Sequence, residues 1–113
     1  MTVTPREIEA IAMALPEATK ITLWGRQDVY KVRGKVFAIC EADSLSFKAT
    51  PIAYEVLVRD GPGRPAPGFT PGHWINLPLS EVDADDAPGW IGTSYRLAAA
   101  GLTKKAKAEL GLS

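Results

Sequence analysis

Three runs of strand-forming residues follow one another between positions 28 and 49, and they constrain the fold of this chain more than any other feature. The runs are "DVYKV", "KVFAIC" and "SLSFKA", and only two short breaks, Arg33-Gly34 and Ala42-Asp43, join them. Breaks of this length connect antiparallel strands, whereas parallel strands need a crossover of many residues. We therefore predict an antiparallel β-meander at the centre of the fold.

Strict alternation of apolar and polar side chains along "SLSFKA" predicts a strand with one buried and one solvated face. The segment "TKITLW", residues 19 to 24, alternates in the same way and predicts a strand that Gly25 ends. "HWINLPL" predicts one more short strand. Residues 61–72, "GPGRPAPGFTPG", hold too many Pro and Gly residues for a helix or a central strand, so we expect an extended loop or edge segment there.

Two Thr-Pro pairs predict where helices begin. Thr4 is placed to cap a helix that starts at Pro5, with Glu7 closing a capping box, and Pro16 ends it. Thr50-Pro51 predicts a second helix up to Gly61. Its apolar face is expected at Ile52, Ala53, Val56 and Leu57.

The C-terminal third predicts two more helices. An acidic stretch, Asp83, Asp85 and Asp86, precedes an apolar pattern that runs to Leu102. A last short helix is expected at about residues 103–110. Together the elements predict one domain, residues 1–113, of the α+β class: two layers, with an antiparallel sheet and helices packed on one face.

Composition excludes several classes of function. The 13 basic and 13 acidic residues balance, so no global field attracts nucleic acid or an anionic membrane, and such binding needs local clustering. Cys40 is the only cysteine, which excludes an intramolecular disulfide and favours a reducing, cytoplasmic location. No apolar run has the length of a membrane span, so we expect no membrane partner.

No catalytic constellation is visible, so we expect no enzymatic activity. His73 is the only histidine, and nothing in the spacing brings it to Ser94 or Cys40. The acidic stretch lacks the spacing of an EF-hand and is better explained as favourable charge at a helix N-terminus. One Cys and one His, with no nucleotide-binding fingerprint, predict no metal and no organic cofactor.

A basic trio, Lys31, Arg33 and Lys35, surrounds Gly34 in the predicted hairpin. A two-residue turn at Arg33-Gly34 pairs Val32 with Lys35, and a three-residue loop shifts the pairing by one. In both registers the trio lies at or near the tip. Such a tip is either a binding element or the ordinary solvated end of a hairpin, because edges and tips commonly carry Lys and Arg.

The order of five segments resembles the MmcQ/YjbR family of small bacterial proteins over nearly the whole chain. The segments are "ALPEA", "YKVRGKVFA", "SFKATP", "HWINL" and "SYRLAAAGLTKKAKAEL". The resemblance implies a CyaY-like two-layer fold and a DNA-binding role through a double-wing motif, with no established enzymatic activity. Matched to the family motifs, "GKVFA" supplies Gly34, Lys35 and Phe37 and "FK" supplies Lys48, while Trp74, Ser94 and Tyr95 are best explained as architectural.

The nucleic-acid prediction follows from the hairpin and this resemblance. Lys31, Arg33 and Lys35 are expected to contact phosphates of double-stranded DNA, with Lys48 and Lys20 extending the strip across the solvated sheet face beside Thr22 and Ser46. About three to five neutralised phosphates predict a salt slope near −3 to −4. The alternative is a protein-interaction domain that uses the open sheet face or the proline-rich segment.

Overall fold

The structure is a computed structural model, and it describes residues 2–23, 27–66 and 73–112. Its strands are Ala18–Leu23 (β1), Gln27–Val32 (β2), Lys35–Cys40 (β3), Ser44–Lys48 (β4), Arg64–Pro65 (β5) and Trp74–Pro78 (β6). Its α-helices are Pro5–Met13 (α1), Pro51–Glu55 (α2), Ala87–Ala99 (α3) and Lys104–Glu109 (α4). A π-helical turn, Val56–Asp60, continues α2, and a 3-10 turn, Leu79–Glu81, follows β6.

These strands form one sheet in the order β1-β2-β3-β4-β6-β5, and every pairing is antiparallel. Strands β1 to β4 are consecutive neighbours, which confirms the predicted meander. β5 lies at an edge of the sheet, where the Pro- and Gly-rich segment was expected to run, while residues 67–72 lie outside the described residues. The α+β class with an antiparallel sheet is confirmed.

Strand register defines the two faces of the sheet, because directly paired residues point to the same side. One row consists of Tyr30, Ala38, Phe47 and Ile75, each paired with the next and each almost completely buried. Helices α1 and α3 cover this side, which we call the helix face: Tyr95 of α3 packs edge-on against Phe37. The other side, which includes Lys48 and Ser46, is called the open face.

A buried serine bridges β3 and β4 next to an irregularity in the pairing of β2 with β3. The register of β3 shifts opposite Tyr30 and Lys31, where Phe37 is an extra residue in the strand. The Ser94 hydroxyl of α3, fully buried, donates to the Phe37 carbonyl at 2.6 Å and accepts from the Lys48 amide at 2.8 Å. Ser94 therefore fixes the end of β4, and with it the position of Lys48.

The helix after Thr50 differs from its prediction. Ile52 and Val56, expected on the buried face, are 79% and 54% exposed, whereas Ala53 and Leu57 pack against the core. The two pairs form neighbouring i, i+4 rows of the helix, and only the row of Ala53 and Leu57 faces the core. Only half of the predicted apolar face is therefore buried.

The other helices begin as predicted. The Thr4 side chain accepts from the Glu7 amide while the Glu7 carboxylate accepts from the Thr4 amide, which confirms the capping box. α3 follows the acidic stretch but ends at Ala99, three residues before the predicted Leu102. In the part of the chain that the structure describes, no helix is long and apolar enough to cross a bilayer.

Candidate nucleic-acid interface

The hairpin between β2 and β3 closes through a two-residue turn. Val32 pairs with Lys35, and both turn residues have left-handed backbone angles, with φ of 49° at Arg33 and 82° at Gly34. Positive φ at both positions is the signature of a type I′ turn, which matches the twist of the flanking strands. Of the two registers that the sequence allows, the structure has the one with the two-residue turn.

Arg33 does not extend from this turn as a free cation. Its guanidinium donates to both carboxylate oxygens of Glu17, at 2.8 and 2.9 Å, and lies 3.2 Å from Glu109 of α4. Hydrogen bonding to Arg33 lowers the pKa of Glu17, and the two carboxylates raise the pKa of Arg33. The arginine therefore ties the hairpin to the α1–β1 connection and to α4, and its charge is compensated within the protein.

The prediction that Lys20 shares a face with Ser46 and Lys48 is wrong. Lys20 pairs directly with Tyr30, which places it on the helix face, and its ammonium forms a 2.8 Å ion pair with Glu9 of α1. This hydrogen bond raises the pKa of Lys20. Thr22 also lies on that side, where its hydroxyl donates to Asp28. The strip of five basic residues is thus divided between the two faces.

Three lysines of the predicted set form no ion pair with a carboxylate in the part of the chain that the structure describes. Among the residues that the structure describes, no carboxylate or other acceptor binds the ammonium groups of Lys31, Lys35 and Lys48. Lys31 pairs with Thr19 and Lys48 with Trp74, so both point to the open face. Lys35 pairs with Val32, which lies on the helix face with Tyr30, so Lys35 is exposed on that side, at the hairpin end of β3. We call these three residues the lysine set.

A shallow groove connects two members of this set. Lys35, Lys48 and Trp74 line a cavity of about 230 Å³ together with Leu97 and Ala98 of α3 and with Gly101, which follows that helix. Its wall combines Lys35 and Lys48 with apolar residues of α3. Such a groove is suited to a phosphate and its sugar, and it contains no feature that would read a base.

Asn76 and Arg64, next to the lysine set, were not singled out from the sequence. The Asn76 amide donates to Ser46 at 2.9 Å and to Ser44 at 3.3 Å, forming a polar cluster on the open face. Arg64 of β5 pairs with Asn76 and therefore points to the same face, where it is exposed. Arg64 is an additional candidate for backbone contacts. The Pro- and Gly-rich sequence around Arg64 gave no indication of the strand pairing that places Arg64 on the open face.

The part of the open face nearest β1 is apolar. Ile21, Val29 and Ile39 form one row across β1, β2 and β3, and Leu23 lies beside it. Val29 and Ile39 are buried by their neighbours, but Ile21 and Leu23 are 45% and 48% exposed. The open face is therefore polar at β4 and β6, apolar at Ile21 and Leu23 of β1, and basic at Lys31 of β2 and Lys48 of β4.

The other residues considered in the sequence analysis pack against, or form hydrogen bonds to, neighbouring parts of the fold. The Tyr95 hydroxyl donates to the Pro16 carbonyl at 2.7 Å, so Tyr95 and Ser94 both serve the architecture, as the motif comparison implied. His73 packs edge-on against Tyr54. Cys40 is buried, and this burial raises its pKa to about 11. Trp90 stacks on Phe47, while Trp24 lies outside the described residues.

Comparison with known proteins places this arrangement in a family. No curated protein matches the chain. A crystal structure of Deinococcus radiodurans protein DR2400, described by the family domain DUF419, superposes with a TM-score of 0.79 and 25% identity, covering 97% of this chain and 89% of that one. The sequence model of the YjbR family matches residues 13–97, which include the whole meander, the lysine set and most of α3. The chain therefore belongs to the YjbR family.

Proposed function

We propose that the protein binds double-stranded DNA weakly, through its phosphates and without sequence preference, and that the lysine set makes the contacts. The observation that carries the proposal is the contrast among the basic residues. Arg33 and Lys20 are held by carboxylates, whereas Lys31, Lys35 and Lys48 are not held by any group in the described part of the chain. Uncompensated cations are the groups that release counterions when they bind DNA.

The spacing of the lysines supports a backbone contact. Lys31 on β2 and Lys48 on β4 lie on one face of the sheet, with only β3 between their strands. At the usual distance between neighbouring strands, this separates them by about 10 Å. The cluster of Asn76, Ser44 and Ser46 adds neutral polar groups beside Lys48. Neutral donors and cations of this kind position a protein on a duplex but carry no sequence information.

This role agrees with the DNA-binding function that the family resemblance implies. It needs no metal, organic cofactor or catalytic residue, and we propose that the protein acts in the cytoplasm by binding alone. With three cations and no base contacts, a dissociation constant on the order of 10⁻⁴ to 10⁻⁶ M is the natural scale. The net charge of zero works against tighter binding.

Fluorescence anisotropy with a labelled duplex tests the proposal. The test variant carries Lys31→Glu, Lys35→Glu and Lys48→Glu together. The matched control carries Lys104→Glu, Lys105→Glu and Lys107→Glu, which change the net charge equally but lie on α4. We expect the first triple variant to lose binding at low salt and the control to retain most of it. Equal loss in both variants would show that only net charge matters and would refute the assignment of the site.

A second function, protein interaction, is favoured by one observation. Ile21 and Leu23 expose nearly half of their surface on the open face. Apolar side chains that remain exposed next to each other often mark a contact surface. Absence of duplex binding by the wild-type protein at low salt would favour this second function over the first.

A further inference from the structure

The two edges of the sheet are built differently. β5 has only two residues, and one of them is Pro65, which has no amide proton to offer a further strand. β1 has six residues, contains no proline, and is exposed over five of its six positions. Within the described residues β1 pairs with β2 alone. One edge is therefore blunted, and the other is open to a further strand.

The usual protection of an open edge is also weak in β1. A lysine on an edge strand normally discourages pairing. Here Lys20 is directed to the helix face and held by Glu9, while Ile21 and Leu23 are exposed on the open face. A strand added at this edge would cover both apolar side chains and would satisfy the free backbone groups.

We propose that β1 pairs antiparallel with β1 of a second copy, which joins two sheets into one across a two-fold axis at Ile21. Residues directly opposite each other in an antiparallel pair point to the same side of the sheet. The two-fold axis must therefore lie where one residue of β1 is directly opposite the same residue of the second copy. An axis at Lys20 would set two ammonium groups against each other, which is unfavourable. An axis at Thr19 leaves most of β1 unpaired.

The register centred on Ile21 has complementary neighbours on both faces. On the open face, Ile21 meets Ile21 of the second copy, and Leu23 meets Thr19. On the helix face, Lys20 lies opposite Thr22 of the second copy, whose hydroxyl is bonded to Asp28. The ammonium of each chain thereby approaches a carboxylate of the other. This self-complementarity is what selects a second copy of the chain as the occupant of the edge.

The inference does not depend on DNA binding, because none of the lysine set belongs to β1. One pair of six-residue strands buries less surface than a standard stable interface, so the dimer should be weak and concentration-dependent. Sedimentation equilibrium over micromolar to near-millimolar protein measures it. We expect Ile21→Lys to raise the dimer dissociation constant by about tenfold or more, since it sets two charges on the axis. Ile52→Lys, a change at another exposed isoleucine, should leave it unaltered.

Two further pairs of variants test the register. Thr22→Glu should strengthen the dimer and Thr22→Lys should weaken it, because position 22 faces Lys20 of the other chain. Ile21→Cys should form a disulfide between copies under mild oxidation, since directly opposed residues have the required separation. Leu23→Cys should not, because its two copies would be about 13 Å apart along the strands. A monomer at all concentrations, or equal cross-linking of both cysteine variants, would overturn the proposal.

Discussion

Substitution of Ser94 by alanine tests the role of the buried hydroxyl that forms hydrogen bonds to both β3 and β4. The change removes both hydrogen bonds of Ser94, leaving the Phe37 carbonyl and the Lys48 amide without their partner at a buried position. An orphaned buried polar group costs about 1 to 3 kcal/mol. Alanine recovers at most about 0.5 kcal/mol through its higher helix propensity. We therefore expect the free energy of unfolding to fall by about 2 to 4 kcal/mol, a large part of a typical total.

Urea unfolding followed by circular dichroism measures this loss. At a urea dependence of about 2 kcal/mol per molar, the middle of the ordinary range, the midpoint should fall by about 1 to 2 M with an unchanged slope. Thr93→Ala on the same helix turn is the control, because the Thr93 hydroxyl accepts from Arg96 of its own helix and makes no hydrogen bond to β3 or β4. A loss below about 1 kcal/mol in Ser94→Ala would refute the reasoning, since it would mean that the strands re-form their hydrogen bonds without the hydroxyl.

Three other predictions concern charge, ionisation and thiol reactivity. Glu17→Gln with Glu109→Gln should free Arg33 and make the salt slope of DNA binding steeper by about 0.9, and an unchanged slope would show that Arg33 stays away from the duplex. Burial raises the pKa of Cys40 from 9.0 to about 11, so the folded protein holds this proton more tightly than the unfolded chain. Stability should therefore fall as pH rises from about 9 to 11, and the fall in urea-derived stability should be smaller in Cys40→Ala than in the wild type. The Cys40 thiol should also react slowly with a thiol reagent at pH near 8 unless urea is added, and rapid reaction of the folded protein would contradict its burial.

Local sequence signals predicted most of the fold. Capping by Thr4 and Glu7 depends only on residues three positions apart, so it could be recognised without a structure. The short Arg33-Gly34 break predicted a hairpin in the same way, but it left two registers open, of which the structure has the one that pairs Val32 with Lys35. The π-helical turn at Val56 could not be predicted, because the sequence there has the period of an ordinary helix.

The site was predicted only in part, because contacts between distant segments determine which of its positive charges are compensated by carboxylates. Arg33 meets Glu17 and Glu109, which lie 16 and 76 positions away in the chain, so its compensation leaves no local signal. The orientation of β1 was misjudged for a related reason. Its alternation suggested that Lys20 and Thr22 face solvent opposite a buried apolar side, but the register with Tyr30 turns them toward the helices. In an edge strand the pairing partner, and not the alternation, decides which face is buried.

The salt dependence of duplex binding tests the central claim most directly. If Lys31, Lys35 and Lys48 each neutralise one phosphate, the slope of log affinity against log salt should be about −2.7, and affinity should fall about 40-fold between 50 and 200 mM salt. Each single Lys→Gln change within the lysine set should make the slope shallower by about 0.9, and Lys105→Gln on α4 should leave it unchanged. A wild-type slope near zero, or single variants with the wild-type slope, would contradict the proposed interface.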